Sequence, residues 1–355
     1  MKIKIQRSRQ GIALIIVMVV VLVFGIMAGL FAYSMKVETK LARNSTQDTE
    51  LEWLGRSGIE LAKCFLSQSG AGGQQYDGLN QNWAGGTGET NDALAALSLE
   101  NNELGRGKFS VKIIDLDRKF NINVAGEEVL RQAMILIGTD AAQTPLIVNA
   151  ILDWRDADDD THVGSTETES DYYLTRQPPH SAKNGPIDDM SELLMIKGIT
   201  PGMYWGSGGV SAGRSQTHQK GLLHPQDESA YPVGFVDLFT TLSSRFININ
   251  TASATTLQMI PDIDENMAHA IISTRAGPDG VDGNDDDMPF RSIGEMANVP
   301  GINRANAGLF ARYFTTRSST FEVEVNTQMD LYSRTYVAVL RRNGRELQTL
   351  YMFWK

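Results

Sequence analysis

The stretch Met1-Lys-Ile-Lys-Ile-Gln-Arg-Ser-Arg-Gln10-Gly11-Ile12-Ala-Leu-Ile-Ile16-Val-Met-Val-Val20-Val-Leu-Val-Phe-Gly25-Ile-Met-Ala-Gly-Leu30-Phe-Ala-Tyr33 sets the terms for the rest of the chain. Lys2, Lys4, Arg7 and Arg9 come first, with no acid among them, and residues 12–33 then carry no charged or strongly polar side chain. That run matches the ~20 apolar residues, at 1.5 Å each, that a ~30 Å hydrocarbon core requires. Cations before the run, and only Lys36 close after it, predict a cytoplasmic N-terminus and a chain beyond about residue 34 on the far side of the membrane. Two plain readings compete. One is a secretory signal peptide, which needs a shorter apolar region and a small-residue cleavage site such as Ala28-Gly29 or Ala32 would supply. The other is a simple membrane anchor.

The 355 residues leave room for an anchor and one or two domains with sizeable cores. Cys64 is the only cysteine, so stability comes from packing or bound metal and not from an intrachain disulfide framework. The net charge of -10 is concentrated in a few segments. Such a chain is a poor fit to phosphate backbones and a good one to cations.

Beyond the apolar run, residues 34–68 read as an amphipathic helix, with Val37, Leu41, Leu51, Leu54, Ile59, Leu61, Ala62 and Phe65 forming a stripe between charges. Residues 69–88 contain Ser-Gly-Ala-Gly-Gly and Ala-Gly-Gly-Thr-Gly and read as a loop. Phe109-Ser-Val-Lys-Ile alternates like a strand. Near the end, Phe321, Val323 and Val325 alternate with Glu322 and Glu324, and residues 335–340 and 347–353 are two more strands joined by a type I′ turn at Asn343-Gly344. A β layer is thus split by about two hundred residues that read mostly as helix.

That insertion contains a repeat: Lys119-Phe-Asn-Ile-Asn-Val-Ala matches Arg245-Phe-Ile-Asn-Ile-Asn-Thr-Ala with one extra residue. Each is followed by a helical stretch, an Asn-Ala-Ile-Leu or His-Ala-Ile-Ile tetrad, an acid-rich loop, and a Glu-Leu-Leu or Gly-Glu-Met helix. Ile196-Lys-Gly-Ile-Thr, Ile260-Pro-Asp-Ile-Asp and Val299-Pro-Gly-Ile-Asn each place a turn residue third and an N-cap residue fifth. Thr200 is followed by Pro201, suited to a first helical position. These are helix-hairpin-helix units. Nucleic-acid binding by such units presents glycine N–H groups and nearby cations to a phosphate. Here the second glycine is replaced by Thr200, Asp264 or Asn303, only Lys197 and Arg304 supply charge, and acidic loops flank all three, so the hairpins read as structural.

The chemistry of the insertion lies in its acids. Asp153-Trp-Arg-Asp156-Ala-Asp158-Asp-Asp160 holds five aspartates in eight residues, with Glu167, Glu169 and Asp171 following before Tyr172-Tyr173. Hard divalent cations take six to eight oxygens, and calcium accepts the irregular geometry of a loop. Asp156, Asp158 and Asp160 alternate toward one centre, Glu169 and Asp171 close it, and a bound cation relieves their mutual repulsion. A second loop, Pro278-Asp279-Gly-Val-Asp282-Gly-Asn-Asp285-Asp-Asp287, contains calcium-loop-like steps without the twelve-residue spacing and terminal glutamate. One or two calcium ions are expected, the second on Asp279, Asp282, Asp285 and Asp287.

Gly11, between the basic segment and the apolar run, resembles the site after which a membrane prepilin peptidase cuts type IV pilins and type II secretion pseudopilins. The resemblance implies a mature, N-methylated chain beginning at Ile12. Most such proteins carry glutamate at the fifth mature position, here Ile16; minor pseudopilin K of type II secretion characteristically lacks it. Gln10-Gly-Ile-Ala-Leu-Ile, Arg106-Gly-Lys-Phe-Ser-Val, Phe120-Asn-Ile-Asn, Asp153-Trp-Arg-Asp-Ala-Asp, Glu169-Ser-Asp-Tyr-Tyr and Ser191-Glu-Leu resemble that family from end to end. The family implies an α+β fold: a transmembrane and stem helix and a pilin-like antiparallel β layer, interrupted by a large, mostly helical insertion with calcium in its acidic loops. Its Asp-Trp-x-Asp-x-Asp and Glu-x-Asp-Tyr-Tyr segments fall on Asp153, Asp156, Asp158, Glu169 and Asp171; Asp160 is added from spacing. It also implies a tip-capping role in the pseudopilus with minor pseudopilins of I and J type, processing by prepilin peptidase, and contact with the inner-membrane secretion platform.

The expected organisation is a leader at 1–11, a membrane helix at 12–33, a stem at 34–68, a first pilin-like part at 69–118, the insertion at 119–316 and closing strands at 317–355. The chain is placed in the inner membrane with its bulk in the periplasm. Catalysis finds little support: the five histidines are scattered, and neither Gly-x-Ser-x-Gly nor a metal-hydrolase histidine pair occurs. The acidic clusters are too crowded for a tuned acid and base. A competence-type DNA-binding protein and a membrane-anchored hydrolase stand as the alternatives.

Overall fold

The computed structural model describes residues 10–71, 76–86, 97–158, 160–161, 169–207, 231–344 and 346–355; of residues 10–12, 69–71 and 169 it describes the backbone alone. Residues 1–9 of the basic leader and 162–168 of the first acidic loop lie outside the described residues.

The apolar run and the amphipathic stripe form one helix, α1 (Gln10–Ala71), of 62 residues. No proline interrupts it, so nothing removes a backbone donor along its roughly 90 Å. Through residues 13–35 its large apolar side chains are exposed, over a length sufficient to cross a hydrocarbon core. From Leu51 onward one face turns inward: Leu51, Leu54, Ile59, Ala62, Phe65 and Leu66 are buried against a sheet.

That sheet is antiparallel and built from both ends of the remaining chain. Its strands are β1 (Asn102–Leu104), β2 (Gly107–Asp115), β7 (Thr320–Met329), β8 (Tyr332–Asn343) and β9 (Glu346–Trp354), in the spatial order β1-β2-β7-β8-β9. Alternation explains which face packs: Phe109, Val111 and Ile113 meet Phe321, Val323 and Val325, while Lys112 and Glu324, paired across the strands, face away. Each fully buried side chain of this kind contributes about 1.5–3 kcal/mol. Helix and sheet approach closely because the stem offers Gly55 and Gly58. A Cβ at Gly55 would lie 2.5 Å from the Tyr336 ring, and one at Gly58 would lie 2.4 Å from Val325 Cγ1.

Two details depart from the sequence expectation. β1 was not anticipated; three residues are too few for a periodic signal, and Gly105 at φ 63 folds them back onto β2. The last turn is shifted by one residue. Asn343 is still in β8, paired with Glu346, and the positive φ of 65 falls on Gly344.

Between β2 and β7 lies a second hydrophobic core spanning Phe120 to Phe314. Its elements are β3 (Phe120–Asn121), α2 (Glu127–Ile137), α3 (Thr144–Arg155), α4 (Glu169–Leu174), α5 (Pro201–Trp205), α6 (Phe235–Leu238), β4 (Phe239–Thr240), β5 (Ile247–Asn248), α7 (Ala254–Leu257), α8 (Glu265–Arg275), α9 (Arg304–Phe310) and β6 (Phe314–Thr315). Each repeat opens with a two-residue strand and closes with a parallel partner, β3 on β4 and β5 on β6. The three hairpins behave as read: Gly198, Asp262 and Gly301 take φ of 89, 70 and 88, and Thr200, Asp264 and Asn303 cap the helices that follow. Two of the leading helices are short 3-10 helices, Met190–Met195 and Ile293–Asn298.

Replacing Gly58 by alanine tests the close approach. Helix propensity favours alanine by about 1 kcal/mol, yet overpacking against Val325 costs about 1–3 kcal/mol. The part from residue 36 onward is therefore expected to melt lower as Gly58→Ala in a thermal scan. Gly308→Ala, in α9 with nothing within 4 Å of the added carbon, is expected to melt at the same temperature or higher.

Candidate functional site

The two repeats are held by the same three side chains. Asn121 Oδ1 accepts from Asn123 N at 2.9 Å, and Asn248 Oδ1 accepts from Asn250 N at 2.9 Å. The second asparagine of each triplet clamps a distant peptide from both sides: Asn123 bonds Ile187 N and O at 2.7 and 2.8 Å, and Asn250 bonds Phe290 N and O at 2.8 and 3.0 Å. A guanidinium completes each unit. Arg155 donates to Ile122 O and Ala125 O, and Arg275 donates to Ile249 O and Ala252 O. Both arginines follow the start of their tetrads, Asn149 and His269, by the same six residues, a regularity legible in the sequence.

The Asp153-Trp-Arg-Asp segment therefore divides its labour. Arg155 turns to the backbone of the repeat, and burial lowers its pKa. Trp154 is buried against Tyr173, with ring centroids 5.2 Å apart. Asp153 lies half-buried in the last turn of α3, Asp156 caps it, and Asp158 and Asp160 are exposed. Asp158 Oδ1 accepts from Asp160 N at 3.1 Å, and its carbonyl accepts from Asn184 Nδ2. Asn184 has a φ of 48, and its Oδ1 is buried with no hydrogen-bond partner among the described residues. Asp171 lies on α4; the side chain of Glu169 is outside the described residues. Among the described residues, no three His, Cys, Asp or Glu side chains are grouped to hold a metal.

The second acidic loop is knitted internally. Asp282 binds Arg275 with both oxygens, at 3.0 and 2.8 Å, so it faces a protein cation where the sequence suggested a metal. Asp279 accepts from Val281 N and Asn284 Nδ2, and Asp285 is exposed. Asp287 accepts from Gly283 N; burial raises its pKa, and its Oδ1 is buried without a partner among the described residues.

A third acidic group was missed altogether, because its members are scattered along the chain. Asp77, Asp115 and Asp117 are buried where the pilin-like layer meets the insertion. Asp115 Oδ2 accepts from Ser318 Oγ at 2.5 Å, Thr251 Oγ1 at 2.6 Å and Asn248 Nδ2 at 3.2 Å. Asp117 accepts from Ser244 N and from the backbone and hydroxyl of Ser319. Asp77 pairs with Arg342 at 2.6 Å, both side chains being almost fully buried. Burial, and then the charge of Asp117, outweigh the donors and push the Asp115 carboxyl up to about 7. Burial also raises Asp117.

Residues 101–205 match the family described as type II secretion system (T2SS), protein K. Residues 243–315 match the helix-hairpin-helix motif family, the second repeat. Type II secretion system protein K of Pseudomonas aeruginosa is 24% identical over 295 residues, covering 79% of this chain and 76% of that one. The Klebsiella pneumoniae protein K is 20% identical over 211 residues, which span 60% of its length. In fold, the chain is similar to a chain of the GspK-GspI-GspJ complex from enterotoxigenic Escherichia coli, with a TM-score of 0.61 at 17% identity over 88% of this chain and 99% of that one.

The junction carboxyl has a pH signature. A carboxyl raised above its unfolded value of ~3.9 stabilises the fold fully below that value, and the stabilisation is lost as pH rises through the folded pKa of about 7. Chemical denaturation between pH 4 and 8 is expected to show a falling stability component of at most ~1.4 kcal/mol per pH unit. Asp115→Asn is expected to flatten it; an unchanged slope would place the titration elsewhere.

Proposed function

We propose that this chain caps the tip of a periplasmic pseudopilus and helps initiate its assembly for protein export. The carrying observation is the continuity of α1. One helix holds an exposed apolar run long enough to cross a membrane and, without a break, the stem that packs under a pilin-like sheet. Prepilin peptidase cuts between Gly11 and Ile12, leaving Ile12 as the mature start. Ile16 then stands where pilin-type subunits carry a glutamate. An apolar residue there avoids the cost of a charge in the bilayer and offers nothing ionic to a neighbouring subunit, which suits a terminal position. The bulky insertion fits an end position too. Partners are minor pseudopilins of I and J type and the inner-membrane secretion platform, with the N-terminus cytoplasmic and residues beyond 34 periplasmic. The role is structural, without catalysis and without nucleic acid.

Deleting the chain from its host is expected to leave secreted substrates in the periplasm. Intact mass of the membrane-extracted chain is expected to begin at Ile12 with one methyl group. A mature start at Met1 or after Ala32, or undiminished export, would overturn the reading.

The first acidic loop is further proposed to bind calcium, with Asp153, Asp156, Asp158, Asp160, Glu169 and Asp171 as its carboxylates. The unsatisfied Asn184 Oδ1 beside Asp158 supports the fit, being a buried neutral oxygen of the kind calcium accepts. Bound calcium would supply charge neutralisation to the loop. A ligand that binds only the folded state adds about 2.7 kcal/mol at a hundredfold excess over Kd. The part from residue 36 onward is expected to melt higher in millimolar calcium than in chelator, with magnesium a poor substitute. Asp156→Ala with Asp158→Ala is expected to remove most of that difference.

A further inference from the structure

The insertion and the sheet are two packed bodies with separate interiors. The core of the insertion, from Phe120 to Phe314, shares no side chain with the core between α1 and the sheet. The chain crosses between them at 116–119, after β2, and again at 316–319, before β7. Both crossings run through the joint of Asp77, Asp115 and Asp117, which are 1%, 3% and 0% exposed. The bonds across that joint are polar. Asn248 donates through Nδ2 to Asp77 O at 2.9 Å and to Asp115 Oδ2 at 3.2 Å, and through its backbone N–H to Asp117 O at 2.8 Å. Ser244 N and Thr251 Oγ1, on either side of it in the chain, donate to Asp117 and Asp115. Such bonds are directional and fix an angle, which non-directional apolar contact does not.

The three carboxyls differ in what their partners allow. Asp77 faces the Arg342 guanidinium and Ser318 N, and Asp117 faces the backbone N–H groups of Ser244 and Ser319. Those groups only donate, which suits an ionised carboxylate. Asp115 Oδ2 meets two hydroxyls, Ser318 Oγ and Thr251 Oγ1. A hydroxyl donates to a carboxylate and, once rotated, accepts from a carboxylic acid. Thr251 Oγ1 has an alternative acceptor for its own proton, Asn248 O at 3.5 Å, so it is free to turn when Asp115 is protonated.

The charged groups around Asp115 are Asp77 and Asp117, which repel its anion, and Arg118, which attracts it. Arg275 and Asp282 act in turn on Arg118 from the second acidic loop. Ionisation makes Asp115 a further buried anion beside Asp117, in a joint where Arg342 is already paired with Asp77. Burial first, and the Asp117 charge second, push the Asp115 carboxyl up to about 7. Above that pH the anion is relieved only if water reaches it.

We propose that this joint is a proton-operated hinge: protonated Asp115 locks the insertion at one angle on the sheet, and ionised Asp115 admits water and lets the insertion swing. The insertion moves as a whole, because its own core does not cross the joint. The closed arrangement is the one that binds the proton, so acid favours it and rising pH opens it.

The full-length chain in detergent, carrying Cys64→Ser, is given nitroxide labels at Lys112→Cys on the sheet and Leu309→Cys on the insertion, both exposed. Leu146→Cys with Leu309→Cys, both within the insertion, is the reference pair. Distances between labels are read by pulsed electron resonance from pH 5 to pH 8. The sheet-to-insertion distance is expected to be narrowly distributed at pH 5 and about twofold wider at pH 8, with its midpoint at about 7. The reference distance is expected to stay constant. Asp115→Asn is expected to keep the narrow distribution at both ends of the range. Asp117→Asn, which removes the like charge that raises Asp115, is expected to move the midpoint to lower pH. Identical sheet-to-insertion distributions at pH 5 and pH 8 would overturn the hinge, and that comparison needs no change at Asp115. Widening that persists in Asp115→Asn overturns the assignment to Asp115. A reference distance that widens with pH shows the insertion itself loosening and overturns the swing of a rigid body.

Discussion

How the insertion sits on the sheet depends on burying three carboxyl groups at one joint. The chain leaves the pilin-like sheet after Asp115 and returns to it at Thr320, so the insertion is tied to the sheet at two adjacent crossings. At that joint Asp77, Asp115 and Asp117 receive hydrogen bonds from Ser244, Asn248, Thr251, Ser318, Ser319 and Arg342. Those residues come from the opening of the second repeat, from the segment that follows it and from β8. An apolar joint of the same size would pack as well and orient less, since hydrophobic contact is non-directional. Carboxylates that cost free energy unless each donor is in place restrict how the insertion sits on the sheet.

The same economy recurs inside the insertion. Arg155 and Arg275 each hold the carbonyls that open a repeat, and each stands beside an acidic loop. In the second repeat Asp282 reaches back to Arg275, so that loop carries an internal counter-ion. In the first, Asp156 follows Arg155 directly and the remaining acids extend into a longer segment. The two loops thus look alike in composition but differ in how their charge is balanced.

The pilin-like layer has its own requirement, close approach. Gly55 and Gly58 let the stem settle against Tyr336 and Val325, and Trp83 closes the far side by packing on Phe321 at 5.4 Å. With the helix seated chiefly over β2 and β7, β9 is the more exposed side of the sheet among the described residues.

Local chemistry determined much of this protein. The charge-free run, the helical stripe, the alternating strands, the Phe-Asn-Ile-Asn repeat and the capped hairpins are all short-range patterns, and each was legible because its physical cause lies within a few residues. β1 and the one-residue shift at Asn343-Gly344 escaped, since register is set by pairing with β2 and β8 and not by the turn residues alone. Only the tertiary structure decided which charges are inside. Asp77, Asp115 and Asp117 look like ordinary surface acids in the sequence. They become a buried joint because Asn248, Ser318 and Arg342, from 70 to 265 residues away along the chain, converge on them or on one another. Burial depends on the whole fold, and no local pattern encodes it.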